Sequence, residues 1–116
     1  MLQKFGIGID IVDINRFRKM PFKENKMFYE KIFDKKEVDY CLQFKDPYPN
    51  FAGKFAVKEA VVKSINENES LSNIITDHFN KKPIVSITDK NFFEFLVSIT
   101  HEKDYAVGVV ISEKLD

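Results

Sequence analysis

A chain of 116 residues with 44% hydrophobic content, 12 of the residues being Phe, has material for one domain with a modest core. Its 18 basic and 18 acidic residues cancel to zero net charge, which argues against a nucleic-acid partner, and its single cysteine, Cys41, excludes an intrachain disulfide and a multi-cysteine zinc site. No apolar run approaches the roughly 18 residues of a membrane span and the N-terminus carries no signal-peptide pattern, so a cytoplasmic protein with no membrane partner is expected.

The first element, Phe5 to Val12, reads as a strand. A period of two puts Phe5, Ile7, Ile9 and Ile11 on one face and Gly6, Gly8, Asp10 and Val12 on the other. Asp10 therefore shares its face with glycines, and such a face is expected to pack inward or to meet a ligand. The plain alternative for Asp10 is a strand-end polar residue or a cap for the next helix. Gly6-x-Gly8 is not a dinucleotide fingerprint, because its third glycine would fall at Ile11 and the glycines lie inside the strand.

Asp13 is placed to N-cap a helix from Ile14, Pro21 interrupts it, and Lys26 to Ile32 reads as another helical turn or two. Asp34-Lys-Lys-Glu37 has capping-box spacing for a helix through about Gln43. Between Arg16 and Lys36 eight basic residues face three acidic ones. That excess reads either as a solvated helical surface or as a docking patch for an acidic partner or a phosphate ligand. Cys41 falls in the helix after the capping box, with neither histidine local to it, and is expected to be a packing residue.

Asp46-Pro-Tyr-Pro-Asn50 breaks the chain before a long helix of roughly 51–65. At about 100° per residue, Glu59 falls in an arc with Ala52, Phe55, Ala56 and Lys63. An exposed Glu59–Lys63 ion pair explains the charges but not the small and aromatic company they keep. Lys54 and Lys58 form a second i,i+4 pair on another side of the helix, within reach of phosphate or solvent. Two carboxylates, Asp10 and Glu59, each on a face of small residues, suit a hard divalent cation such as Mg²⁺ on a phosphate substrate.

Beyond the helix, 66–73 reads as a polar loop and 71–78 as strand or irregular chain. A strand over 83–88, a short helix over 91–95, and a hairpin of strands 96–101 and 105–112 around Glu102-Lys-Asp104 complete the chain. His101 ends the first hairpin strand on the side of Val97 and Ile99, and its near-neutral pKa leaves acid/base or phosphate-binding work open beside a structural role. His78 has no supporting context. Helices cluster before strands, so the expected class is α+β: a small antiparallel sheet packed against one long helix and several short ones.

Three ordered blocks, Gly6-Ile-Gly8-Ile-Asp10-Ile-Val-Asp-Ile-Asn-Arg16, Phe51-Ala-Gly-Lys-Phe-Ala-Val-Lys58-Glu59-Ala60 and Val97-Ser-Ile-Thr-His101-Glu-Lys-Asp-Tyr105-Ala106, resemble the holo-acyl-carrier-protein synthases, the short bacterial class of 4′-phosphopantetheinyl transferases. The resemblance covers nearly the whole chain. It implies a single transferase domain over 1–116 that moves the phosphopantetheine arm of coenzyme A to a serine of apo-acyl-carrier protein and releases adenosine 3′,5′-bisphosphate. It further implies Mg²⁺ held by Asp10 and Glu59, catalytic roles for Glu59 and for Lys63 near the pyrophosphate, Lys58 as a substrate-binding residue, His101 closing the coenzyme A site, Arg16 as a carrier-protein contact, and a homotrimer with sites shared between subunits. The serine's proton acceptor is either Glu59 or a metal-side water. Val12 stands where the larger transferases carry a further acidic ligand, so water is expected to complete the metal's coordination. The family's glycine-rich segment after the long helix, which accommodates the nucleotide, is replaced by Ser64-Ile-Asn-Glu-Asn-Glu-Ser70, without glycine. A non-enzymatic carrier-protein-binding module is the alternative that this departure raises.

Overall fold

The structure, a computed structural model, describes residues 2–116. Strand β1 (Phe5–Asp13) leads into α1 (Ile14–Arg18), α2 (Lys26–Glu30), α3 (Lys35–Leu42) and the long α4 (Tyr48–Ile65); strands β2 (Ile74–Phe79), β3 (Lys82–Ile87), β4 (Phe93–His101) and β5 (Tyr105–Lys114) follow. Strands β1, β5 and β4 form an antiparallel sheet in that order, and β2 and β3 form an antiparallel hairpin. This is the α+β architecture read from the sequence. Among the described residues no helix is long and apolar enough to cross a membrane.

Local signals account for most element boundaries. Asp13 caps α1 through its carboxylate and the Asn15 N–H (3.0 Å), and Asp34 with Glu37 closes a reciprocal capping box on α3. Helix α4 begins at Tyr48, earlier than the breaker implied, with Pro49 in its first turn, where a missing N–H removes no helical bond. The segment expected as a helix over 91–95 is instead a turn at 91–92 followed by the start of β4 at Phe93. Phe93 pairs with Lys114 and Phe95 with Ser112, and the two rings stack 5.9 Å apart against the apolar cluster around Val57 and Val61. The ambiguous stretch after Leu71 becomes β2 because Ile74 and Thr76 alternate into the interior.

The glycines set how close helix and sheet come. Helix α4 crosses the sheet obliquely, with Gly53 against Ile99 of β4, residues 56–57 over Gly108 of β5, and Ala60 and Ser64 directly on Gly8 and Gly6 of β1. A Cβ on Gly8 would collide with the Ala60 carbonyl, and one on Gly108 would stand 2.7 Å from Val57 N. Gly8→Ala is accordingly expected to cost at least roughly 1–3 kcal/mol in urea unfolding, since the obstacle is helix backbone that must move as a body. The glycine face of β1 thus packs inward, as its composition predicted. The opposite face, with Ile7 at 70%, Ile9 at 60% and Ile11 at 64% exposure, continues onto Ile111 and Leu96 as an uncovered apolar sheet surface.

Candidate active site

Edge strand β1 and helix α4 bring Asp10 and Glu59 together. Asp10 lies two residues beyond Gly8 on the helix-facing side, and the close approach at Gly8 draws the adjoining turn of α4 onto the strand. Glu59 is partly buried, and its carboxyl pKa is raised, first by that burial and then by the negative charge of Asp10. Lys63 and Arg16 pull it back down. The Lys63 ammonium donates to the Ile9 carbonyl (2.9 Å) and to Asp10 Oδ1 (3.2 Å). Its charge is therefore committed to β1, not to a helical surface pair with Glu59. Exposed Arg16 lies with its guanidinium 5.6 Å from the Phe55 ring centroid, on the Glu59 side of α4.

Four predicted residues thus converge: Asp10, Glu59, Lys63 and Arg16. Two carboxylates in mutual repulsion, one of them partly desolvated, fit a hard cation that would relieve both costs. Among the described residues no third His, Cys, Asp or Glu joins them in a metal-binding group. Val12, one step along the same face, is buried.

Lys58 does not join this site. It is fully buried, and its ammonium donates to Glu37 Oε1 (2.8 Å), Ile32 O (2.7 Å) and Leu71 O (3.1 Å), which engages every proton it has. The expectation that Lys58 contacts substrate is corrected on that ground. Lys54 is likewise interior, donating to Thr76 Oγ1 (3.0 Å) with its charge 4.8 Å over the Tyr40 ring, and burial lowers its pKa. Glu37 completes the network by accepting from the backbone N–H groups of Asp34 and Thr76 and from the Thr76 hydroxyl. The capping box located Glu37 in the sequence, but nothing local to it announced a buried counter-ion for Lys58.

His101 stands apart from the carboxylates within one chain. Its partner across the hairpin is Ala106, which pairs in turn with Val12, so two strand spacings, roughly 10 Å, separate it from β1. Elsewhere, burial pushes the Cys41 thiol up to about 12, in keeping with packing, and His78 stacks on Tyr40 at 4.8 Å.

Residues 6–110 match the 4′-phosphopantetheinyl transferase superfamily. A holo-(acyl-carrier-protein) synthase of Thermodesulfovibrio yellowstonii is 37% identical over 109 residues, covering 91% of this chain and 96% of that protein. One from Chlamydia caviae is 35% identical over 120 residues, covering 96% and 98%. Among solved structures, a Bacillus anthracis holo-(acyl-carrier-protein) synthase in complex with CoA (3′,5′-ADP) superimposes with TM-score 0.81 at 31% identity, covering 94% of this chain and 96% of that one. The Helicobacter pylori synthase in complex with coenzyme A gives 0.81 at 29% identity, covering 92% and 99%.

Proposed function

The chain belongs to the 4′-phosphopantetheinyl transferase superfamily, and from that premise we propose that it is a cytoplasmic, Mg²⁺-dependent holo-acyl-carrier-protein synthase that works as a homotrimer. It transfers 4′-phosphopantetheine from coenzyme A to a serine hydroxyl of apo-acyl-carrier protein and releases adenosine 3′,5′-bisphosphate. The observation that carries this reading is the convergence of Asp10, Glu59 and Lys63 where β1 meets α4.

In this reading Asp10 and Glu59 hold the cation, which supplies charge neutralisation at the pyrophosphate. Lys63, fixed by the Ile9 carbonyl, sets a positive charge beside the same phosphates. The acceptor serine oxygen attacks the β-phosphorus, the bond to the bridging oxygen breaks, and the pair of electrons leaves with the nucleotide. The serine proton passes to Glu59 or to a water beside the cation. Arg16, exposed at the Glu59 side, meets the acidic carrier. The separation of His101 from Asp10 within one chain and the exposed Ile7, Ile9, Ile11 and Leu96 surface together support a site in which His101 reaches the coenzyme A held by a neighbouring subunit.

Incubation with apo-carrier protein, coenzyme A and Mg²⁺ is expected to add one phosphopantetheine mass to the carrier, and EDTA is expected to stop it. The active species should sediment at three chain masses. Carrier binding without transfer, across several carriers, would overturn the proposal and favour a non-enzymatic carrier-binding module.

A further inference from the structure

The segment after α4 turns without a glycine. Asn66 takes the left-handed conformation (φ 54°) and its N–H closes the helix on Val62 O at 3.2 Å, a conformation that Asn tolerates better than most residues. Beyond it, charge shapes the loop. Lys90, in the turn before β4, donates to Glu67 Oε1 (3.0 Å) and to Glu69 Oε1 (2.9 Å). The other Glu69 oxygen accepts from Asn73 Nδ2 (3.1 Å) and from the Ser70 N–H (3.0 Å), and the side chain is 8% exposed. Lys90 and Asn73 hold the Glu69 carboxyl below its usual pKa.

The loop borders a cavity of about 340 Å³ that Ser64, Asn66 and Glu67 share with Gly6 and Ser112. This cavity begins just past Lys63, at the Gly6 end of β1, while Arg16 and Arg18 lie beyond the opposite end of the same strand. A coenzyme A molecule with its pyrophosphate between Asp10, Glu59 and Lys63 sends its arm to one side and its nucleotide to the other. With the carrier on the Arg16 side, the nucleotide runs toward the cavity. Lys4 and Lys114 line the same cavity, and Glu67 on its wall offsets their attraction for a phosphorylated ribose wherever its own charge is not held and neutralised.

We propose that Lys90 is a positioning residue for coenzyme A: by clamping Glu67 and Glu69 it fixes the nucleotide-side wall of the site and shields the ligand's phosphate from their charge. The inference rests on the site reading given above. It gives the glycine-free loop a defined shape by ion pairing in place of backbone freedom.

Transfer kinetics and direct coenzyme A binding by calorimetry test it on wild type, Lys90→Met and Lys90→Arg. Lys90→Met should raise the KM and Kd for coenzyme A roughly three- to tenfold, leave the KM for carrier unchanged, and be rescued by Lys90→Arg. Adding Glu67→Gln and Glu69→Gln to Lys90→Met should recover part of the loss by removing the repulsion. An unchanged coenzyme A affinity in folded Lys90→Met, or an equal rise in both KM values, overturns the clamp. A wild type that binds coenzyme A but transfers nothing overturns the transferase reading and leaves the clamp to be judged on Kd. A wild type that does not bind coenzyme A overturns both.

Discussion

Replacing Glu59 with glutamine is expected to lower phosphopantetheine transfer roughly 10²–10⁴-fold and, in metal-free protein at neutral pH, to raise the melting temperature. The two effects share one origin. Burial and the neighbouring Asp10 raise the Glu59 pKa, so the folded state binds its proton more tightly than the unfolded state does. Stability therefore falls as pH rises from the ordinary carboxylate pKa through the raised folded value, and above that value the ionised group is a standing cost. Glutamine keeps the shape and removes the charge. It also removes a charged cation ligand, so activity is lost as stability is gained. Mg²⁺ should stabilise the wild type in calorimetry, because it binds only the folded pair, and should do so far less in the variant. Transfer within a few-fold of wild type, or a lower melting temperature in Glu59→Gln, would separate Glu59 from this role.

Why the sequence singled out Asp10 and Glu59 and misplaced Lys58 follows from range. Asp10 and Glu59 were legible because each broke a short periodic pattern: a charge among glycines on a strand face, and a charge among alanines on a helical arc. The glycines then had a specific cause, the contact of Gly8 and Gly6 with the backbone of α4, which is what brings the two carboxylates together. Lys58 was misread because its environment comes from Ile32, Glu37 and Leu71, far away along the chain. Periodicity placed it correctly on a different side of α4 from Glu59, but could not tell that this side was roofed by α3 and β2. The helix expected over 91–95 failed similarly. Phe93 and Phe95 follow the period of the strand they pair with, and four aromatic or charged residues in sequence carry too little pattern to say so. The Lys90 clamp spans 23 positions to Glu67 and left no local trace.

The correction at Lys58 separates two outcomes sharply. If Lys58 were a substrate contact, Lys58→Met would leave a stable protein with weakened coenzyme A binding. The structure requires the reverse. Methionine preserves the stem but withdraws the ammonium ion-paired with the Glu37 carboxylate and strips a donor from both the Ile32 and Leu71 carbonyls. Breaking one partner of a fully buried ion pair costs roughly 3–5 kcal/mol, because the remaining charge stays desolvated without compensation. Glu37→Gln should also destabilise. Its amide oxygen can still accept from Lys58, but its NH2 group then faces the Thr76 N–H, which loses its acceptor, and the buried cation loses its counter-charge. Urea unfolding should therefore place both Glu37→Gln and Lys58→Met well below wild type. The folded fraction of Lys58→Met, assayed at low temperature, should keep a coenzyme A KM close to wild type, because the lysine lies inside the packing of α3, α4 and β2 and not in the cleft beside Asp10. A Lys58→Met protein as stable as wild type but deficient in coenzyme A binding would return the residue to the site, and would mean that Glu37 is satisfied by Thr76 and Asp34 alone.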